Sequence, residues 1–189
     1  DAEKLAKTLK KGGISDGTIF QQTGTYTEHG GKKAKAIISD AEAKILFDEI
    51  ASMKTFKPVP LTQVLDHPQL YELYPELKKT TVSLDLGDNS AAFIPRFNHI
   101  RLGEGGDLAS VENRILHEVQ HAVQKADRTQ GGGDPYEIAN KFALPYQQAY
   151  KEYSKLPGEQ EARFTESTKA LSQRQMDEEV LKLLRQGKT

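Results

Sequence analysis

One stretch of the chain largely decides how the rest is interpreted: residues 116–124 read Leu-His-Glu-Val-Gln-His-Ala-Val-Gln. In a helix, His117 and His121 lie about 40° apart and about one turn along, so both imidazoles can reach a single ion. The pattern predicts a long helix that begins at Asp107 or Ser110 and ends near Ala126, with one face packed on the core. The apolar stripe opposite the histidines consists of Leu108, Ile115, Val119, Ala122 and Ala126.

The His-Glu-x-x-His pattern on a helix is typical of a zinc site. Two histidines leave coordination positions open, which favours a catalytic Zn²⁺ over a closed structural one. Glu118 follows the first histidine and projects beside the ion, where its carboxylate can take a proton from water. The alternative interpretation is an ordinary solvated helix face that carries two of the five histidines of the chain.

A third metal ligand has to come from another segment. The chain has no cysteine, so this ligand must be a histidine or a carboxylate, and the histidines at 29, 67 and 99 all precede the motif. Downstream, Glu159 and Glu161 follow Pro157-Gly158 at the start of a predicted helix. They lie about 200° apart, so only one of them can face the ion. Either glutamate could also simply compensate the helix dipole.

The composition describes a polar chain of 189 residues, enough for one domain with a real core. Lys and Arg number 26 against 27 Asp and Glu, so the net charge of −1 favours neither nucleic acid nor an anionic membrane as a partner. The absence of cysteine is compatible with the cytoplasm, although it does not fix the location of this soluble chain. The chain begins at Asp1 without a targeting pattern, and we expect it to be part of a longer polypeptide.

The first half of the chain is predicted to mix short helices with a hairpin. A helix over Ala2–Lys11 should end at Gly12-Gly13, and a β-hairpin should occupy Thr18 to Asp40, with its turn at residues 28–31. Asp40 is placed to cap a helix over Ala41–Met53. Two short helical pieces follow, at 61–65 and 68–77.

Three strands are predicted next, at 80–86, 91–94 and 98–102, and the first should be half-buried because apolar residues alternate along it. After the histidine helix, Asp134-Pro135 should start another helix, which Pro145 splits, and a further break is expected near Ser172. A small sheet followed by helices predicts an α+β fold. Residues 1–13 are expected to form a helical appendage, and residues 14–189 one domain. The stripe of Phe142, Tyr146 and Tyr150 is expected in the core, and the lysines at 32, 33 and 35 on the surface.

Two motifs together give a more specific resemblance. The Leu116–Gln124 helix is followed by Tyr153, then Gly158-Glu159-x-Glu161-Ala162-Arg163. This pair resembles the predicted metallopeptidase domains of large polyvalent proteins from phages and mobile elements, and more broadly the gluzincin metallopeptidases. The similarity extends over about residues 14–170, including blocks at 19–26, 61–77 and 98–102. One departure is the hairpin, where that family often has tryptophan and this chain has none.

The resemblance implies a minimal zincin-like fold and a zinc-dependent endopeptidase acting on a protein or peptide. It favours Glu159 over Glu161 as third ligand, because Glu159 stands three residues before Ala162, as in the family's Glu-x-x-Ala pattern. Tyr153 would donate a hydrogen bond to the oxyanion, or would simply be a core residue. The strand at 98–102 would be the edge strand along which an extended peptide pairs.

Two other functions stay open from the sequence. The chain could be a non-catalytic module that keeps the zincin fold within a phage or mobile-element polyprotein. It could also be an effector protease directed at a single host protein. These alternatives differ in catalytic competence and in partner, and neither changes the predicted metal ligands.

Overall fold

A computed structural model describes residues 2–23, 25–28, 33–36, 38–85, 90–128 and 133–185. The fold is α+β, as the sequence predicts. The chain forms two compact units: the described residues up to Ala41 together with those from Thr168 onward, and the segment Glu42–Ser167. In the described part of the chain, no helix combines the length and the apolar character needed to cross a bilayer.

The first unit begins with two helices, α1 (Ala2–Lys11) and α2 (Asp16–Thr23). Ala6 and Ile19 are fully buried where the two helices pack. The predicted first helix is confirmed, including its stop, because the chain turns through Gly13 at a φ of 78°. The same unit contains the last helix, Gln173–Arg185.

The prediction of a hairpin from Thr18 onward is wrong for its first part. Ile19 and Phe20 lie in α2, where the Ser15 hydroxyl accepts a hydrogen bond from the Thr18 N–H at 3.3 Å. This local cap outweighs the β-propensity of the two apolar residues. The hairpin itself forms later, from β1 (Thr25–Glu28) and β2 (Lys33–Ala36). Most of the predicted turn, and the side chains of the predicted surface lysines, lie outside the described residues.

The second unit begins with a further difference from prediction. The helix expected from Asp40 is replaced by strand β3 (Lys44–Ile45) and a shorter helix, α3 (Phe47–Ser52), which has no side-chain cap. Strand β3 pairs antiparallel with β5 (Leu65–Asp66), a partner distant in sequence. Tertiary pairing therefore overrides the local capping signal at Asp40.

A four-stranded sheet forms the centre of this unit. Its strands are β4 (Val59–Pro60), β6 (Thr81–Asp85), β7 (Ala91–Ile94) and β8 (His99–Gly103), in the order β4-β6-β8-β7. Strands β6 and β8 are parallel, and the other two pairs are antiparallel. The buried core of the sheet includes Val82, Leu84, Ile100 and Leu102.

The expected edge position of the strand at 98–102 is wrong. Strand β8 lies inside the sheet and pairs on both sides, whereas β7 forms the outer edge. A tight turn joins β7 to β8 and places β7 on the outside, with Asn98 in the left-handed region at a φ of 50°. The half-buried pattern predicted for β6 also fails at Ser83, which is 6% exposed and hydrogen-bonded to His99 Nε2 at 2.9 Å.

Helices make up most of the rest of the second unit. The two predicted short pieces are 3₁₀ turns at Leu61–Gln63 and Pro75–Lys79 and a helix α4 at Pro68–Leu73. The predicted long helix is α5 (Leu108–Ala126), whose cap is Asp107: its carboxylate accepts the Ser110 N–H at 2.8 Å. The remaining helices are α6 (Pro135–Phe142), α7 (Tyr146–Tyr153) and α8 (Pro157–Thr168).

The predicted apolar stripe on α5 is confirmed in its middle. Ile115, Val119 and Ala122 are buried, while Leu108 is 64% exposed and Ala126 is only partly buried. The helix packs against β7 and β8 of the sheet. Its histidine face is thus turned away from the core and toward α8.

Candidate metal centre

Three side chains from two helices meet at one point. His117 and His121 lie on α5, and Glu159 lies in the first turn of α8. The two Nε2 atoms are 3.1 Å apart; His117 Nε2 is 3.4 Å from one Glu159 carboxylate oxygen and His121 Nε2 is 3.3 Å from the other. These three residues therefore form a group of potential ligands within 4.8 Å of one another.

The spacing of these atoms fits a tetrahedral ion. Zinc holds nitrogen and oxygen ligands at about 2.0–2.1 Å, so neighbouring ligand atoms of a tetrahedral site lie about 3.3 Å apart. The two histidine nitrogens, 3.1 Å apart, are close to that value, and each is 3.3 to 3.4 Å from a different oxygen of the Glu159 carboxylate. With one ligand atom taken from each residue, the three atoms lie within 4.8 Å of one another. Glu159 is 1% exposed, and its Oε2 is buried without a hydrogen-bond partner among the described residues. This oxygen lies 3.4 Å from His117 Nε2, and a cation between them would bind both atoms.

Each histidine is oriented by a partner on its other ring nitrogen. His117 Nδ1 bonds to the carboxylate of Glu166, two turns along α8 from Glu159. His121 Nδ1 bonds to Gln124 Oε1 at 2.8 Å. A proton on each Nδ1 leaves the Nε2 lone pair facing the shared point, which is the arrangement that a metal-binding histidine requires.

Gln124 connects the second histidine to α8. It is fully buried, and its amide nitrogen donates to the Gly158 carbonyl at 2.9 Å and to Glu161 Oε2 at 2.8 Å. Two acceptors around the nitrogen fix the orientation of the amide, so its oxygen must face His121. Glu161 is thereby held by Gln124, away from the group that Glu159 joins.

Glu118 points toward the edge of the sheet. Its Oε2 accepts the Phe93 backbone N–H at 2.6 Å, and Phe93 belongs to the edge strand β7. The side chain is 6% exposed. Burial raises the pKa of Glu118, and the neighbouring His121 and His117 partly oppose that rise. A carboxylate with a raised pKa is suited to accept a proton and return it.

Tyr153, predicted either to donate a hydrogen bond to the oxyanion or to be a core residue, lies beside Glu159. Burial raises the pKa of the Tyr153 phenol, and a hydrogen bond with Glu159 raises it further. The hydroxyl therefore keeps its proton at neutral pH and can act as a donor. The structure brings together all the residues that the sequence analysis selected, including Glu161 in an outer position.

The electrostatics of the group reflect close pairing of opposite charges. Burial acts to lower the pKa of His117 and of His121, but the hydrogen bonds to Glu159, together with the nearby Glu118 and the partners of the other ring nitrogens, raise the pKa of both. Burial acts in the opposite direction on Glu159, yet the two histidines and Tyr153 lower its pKa well below the usual range. Glu159 is thus ionised, as a metal ligand must be.

The aromatic stripe predicted for the core is instead on the surface. Phe142 is 60% exposed, Tyr146 46% and Tyr150 43%. The break between α6 and α7, where Ala143 has a φ of 51°, turns both helices so that their tyrosines form a row. Helical spacing alone does not reveal whether an aromatic face is covered.

Three contacts of the site were not assigned a role by the sequence analysis: those of Gln124, Glu166 and the Phe93 N–H. Gln124 stands three residues after His121 and Glu166 seven after Glu159, so each shares a helix face with a ligand, and this spacing could have identified both. The contact of Phe93 depends on tertiary folding and has no sequence signal.

Comparison of the chain with protein-family models, curated proteins and solved structures finds no match.

Proposed function

We propose that this chain is a metal-dependent endopeptidase that hydrolyses peptide bonds, with His117, His121 and Glu159 as ligands of Zn²⁺. The observation that carries the proposal is the convergence of two histidine nitrogens, 3.1 Å apart, on a buried carboxylate whose two oxygens lie 3.3 and 3.4 Å from them. A general base and a phenol donor lie next to the same point. Zinc, when bound, supplies Lewis acidity that activates water and polarises a carbonyl.

The residues of the chain have distinct roles in this reaction. Glu118 takes the proton of the attacking water and later delivers it to the leaving amine. The Phe93 N–H holds the Glu118 carboxylate in place at 2.6 Å. Tyr153 donates a hydrogen bond to the negative charge that develops on the carbonyl oxygen. The edge strand β7, rather than the predicted strand at 98–102, is the strand along which an extended peptide can lie, next to the Phe93 N–H that donates to Glu118.

The first test measures metal content. Protein purified without added metal is expected to contain, or to take up, about one zinc per chain, and His117→Ala should lose it. His99→Gln is the matched control, because His99 bonds to Thr81 and Ser83 rather than to the site. Wild-type protein that neither contains nor binds zinc would refute the proposal.

The second test measures cleavage of a broad peptide library. Glu118→Gln should keep zinc and lower the rate of cleavage by about 10²-fold or more. Glu112→Gln, a partly exposed glutamate on the same helix, should leave the rate unchanged. Cleavage that survives in Glu118→Gln would remove the general-base role. Zinc-loaded wild type that cuts no library peptide would instead indicate a non-catalytic module.

A further inference from the structure

Four tyrosines form a continuous row on the surface of α6 and α7. Ring centroids of Tyr136 and Tyr146 are 4.8 Å apart, those of Tyr146 and Tyr150 6.3 Å, and those of Tyr150 and Tyr153 5.6 Å. Tyr136 is 64% exposed, and Tyr146 and Tyr150 are nearly half exposed. Neighbouring rings are tilted by 36° to 41°. A contiguous exposed aromatic surface of this kind is typical of a binding site.

The row leads directly into the candidate metal centre. Its inner member, Tyr153, is half-buried and interacts with Glu159. The Tyr150 hydroxyl accepts a hydrogen bond from Arg163, on α8, at 3.3 Å. The row is therefore continuous with the site proposed to hold the scissile bond, and a substrate chain that leaves that site can follow it.

The chemistry of the row restricts what it can bind. A helix surface offers no unpaired main-chain groups, so a peptide cannot pair with α6 or α7 as it would with a strand edge. Recognition must come from the rings and hydroxyls of the tyrosines. The Tyr150 hydroxyl accepts from Arg163, so that bond does not use its own proton, and an aliphatic helix face laid on the row would bury this proton without offering it an acceptor.

A polyproline II segment satisfies both parts of a tyrosine. This conformation has no internal hydrogen bonds, so its carbonyls can accept from the hydroxyls while its proline rings pack on the aromatic faces. It rises about 3.1 Å per residue, so the ring-to-ring steps of 4.8 to 6.3 Å correspond to about one and a half to two residues. Little conformational entropy is lost on binding, because the segment is already extended.

We propose that Tyr136, Tyr146, Tyr150 and Tyr153 form a docking row for a proline-rich segment of the peptide substrate, adjacent to the bond that is cut. This inference rests on the proposed peptidase function, and it assigns the substrate class that the function leaves open. The three outer tyrosines select the segment, and Tyr153 joins the row to the reacting carbonyl.

The experiment measures binding and needs no cleavage. The 189-residue chain carrying Glu118→Gln is titrated with three fluorescein-labelled ten-residue peptides: polyproline, a Gly-Ser repeat and an amphipathic Leu-Lys helix. Only polyproline is expected to bind. Tyr146→Ala and Tyr150→Ala should each weaken its binding about tenfold, since truncated interface tyrosines are frequent hot spots. Tyr146→Phe, which keeps the ring but not the hydroxyl, should weaken it less.

Phe142→Ala is the matched control. Phe142 is an exposed aromatic on α6 whose ring contacts the Lys141 ammonium, and its loss should leave polyproline binding unchanged. Polyproline binding no tighter than that of the Gly-Ser repeat, or unaffected by both alanine variants, would overturn the docking row. Tyrosine-dependent binding of the Leu-Lys helix alone would overturn it as well.

The two proposals fail in different ways. If library peptides are cut but polyproline does not bind, the docking row is refuted and the peptidase function stands. If polyproline binds through Tyr146 and Tyr150 but the wild type cuts no peptide, the binding of proline-rich segments by the row stands, whereas the peptidase function and the role of the row in substrate docking are refuted. In either case the variants are compared at equal zinc content and with unchanged far-ultraviolet circular dichroism.

Discussion

Replacing Gln124 by methionine tests the organisation of the candidate site in a single step. Methionine has a similar length and volume, so the change removes hydrogen bonds without creating a large cavity. The bonds lost are those to His121 Nδ1, to the Gly158 carbonyl and to Glu161 Oε2. Since Gln124 is fully buried, water cannot easily replace it.

Two magnitudes follow from these contacts. Each hydrogen bond contributes about 1 kcal/mol, and somewhat more when the partner is charged, so the metal-free Gln124→Met protein should lose about 2–4 kcal/mol of unfolding free energy. His121 also loses the partner that fixes its ring orientation. Loss of such a partner commonly lowers metal affinity about 10–100-fold, and we expect a zinc dissociation constant raised by that factor.

The assays are urea unfolding of the metal-free protein and zinc titration against a competing chelator. Gln120→Met is the control, because Gln120 has the same chemistry on the same helix but is partly exposed. It should change the free energy of unfolding by less than about 0.5 kcal/mol. Wild-type stability together with wild-type zinc affinity in Gln124→Met would refute the role assigned to this side chain.

Three further predictions concern the third ligand, the general base and a histidine of the sheet. Glu159→Gln should weaken zinc binding far more than Glu161→Gln does, since only Glu159 reaches both histidines. Phe93→Pro removes the backbone N–H that donates a hydrogen bond to Glu118. The variant should retain zinc, because edge strands tolerate proline, and its rate of cleavage should fall at least about tenfold, because the general base is no longer held in place. Burial lowers the pKa of His99 from 6.5, so the unfolded chain binds more protons than the folded chain as the pH falls. The free energy of unfolding of the wild type should therefore fall more steeply than that of His99→Gln as the pH drops below about 6.5.

Each of these predictions has a contrary outcome. Equal loss of zinc in both glutamate variants would mean that Glu161 also binds the ion. Ala91→Pro is the control for Phe93→Pro, since Ala91 lies two positions earlier on the same side of β7, and equal losses would show general damage to the strand. Parallel pH profiles for wild type and His99→Gln would contradict the assignment of a proton-linked effect to His99.

Local signals in the sequence predicted the parts of the fold that local forces determine. The caps Asp107 and Asp134 place the starts of α5 and α6 because a carboxylate oxygen reaches an N–H two or three residues along the chain. Proline at 145 ends one helix and starts the next for a similarly local reason. The positions of His117 and His121 follow from helical periodicity alone.

The errors arise where the outcome depends on distant partners. Asp40 can cap a helix, but β3 pairs with β5 instead, and no local rule encodes that pairing. The interior position of β8 depends on the order in which strands add to the sheet. The exposure of Tyr146 and Tyr150 depends on how α6 and α7 pack, so their spacing suits a core stripe and a surface row equally well.

Two contacts that hold the candidate site involve main-chain atoms. Glu118 bonds to the Phe93 N–H, and Gln124 bonds to the Gly158 carbonyl. Substitutions other than proline at position 93 leave the N–H intact, so an alanine scan would classify that position as dispensable for anchoring the base. Sequence drift at position 93 is therefore compatible with an unchanged contact to Glu118, and mutational tolerance there is a poor guide to proximity to the chemistry.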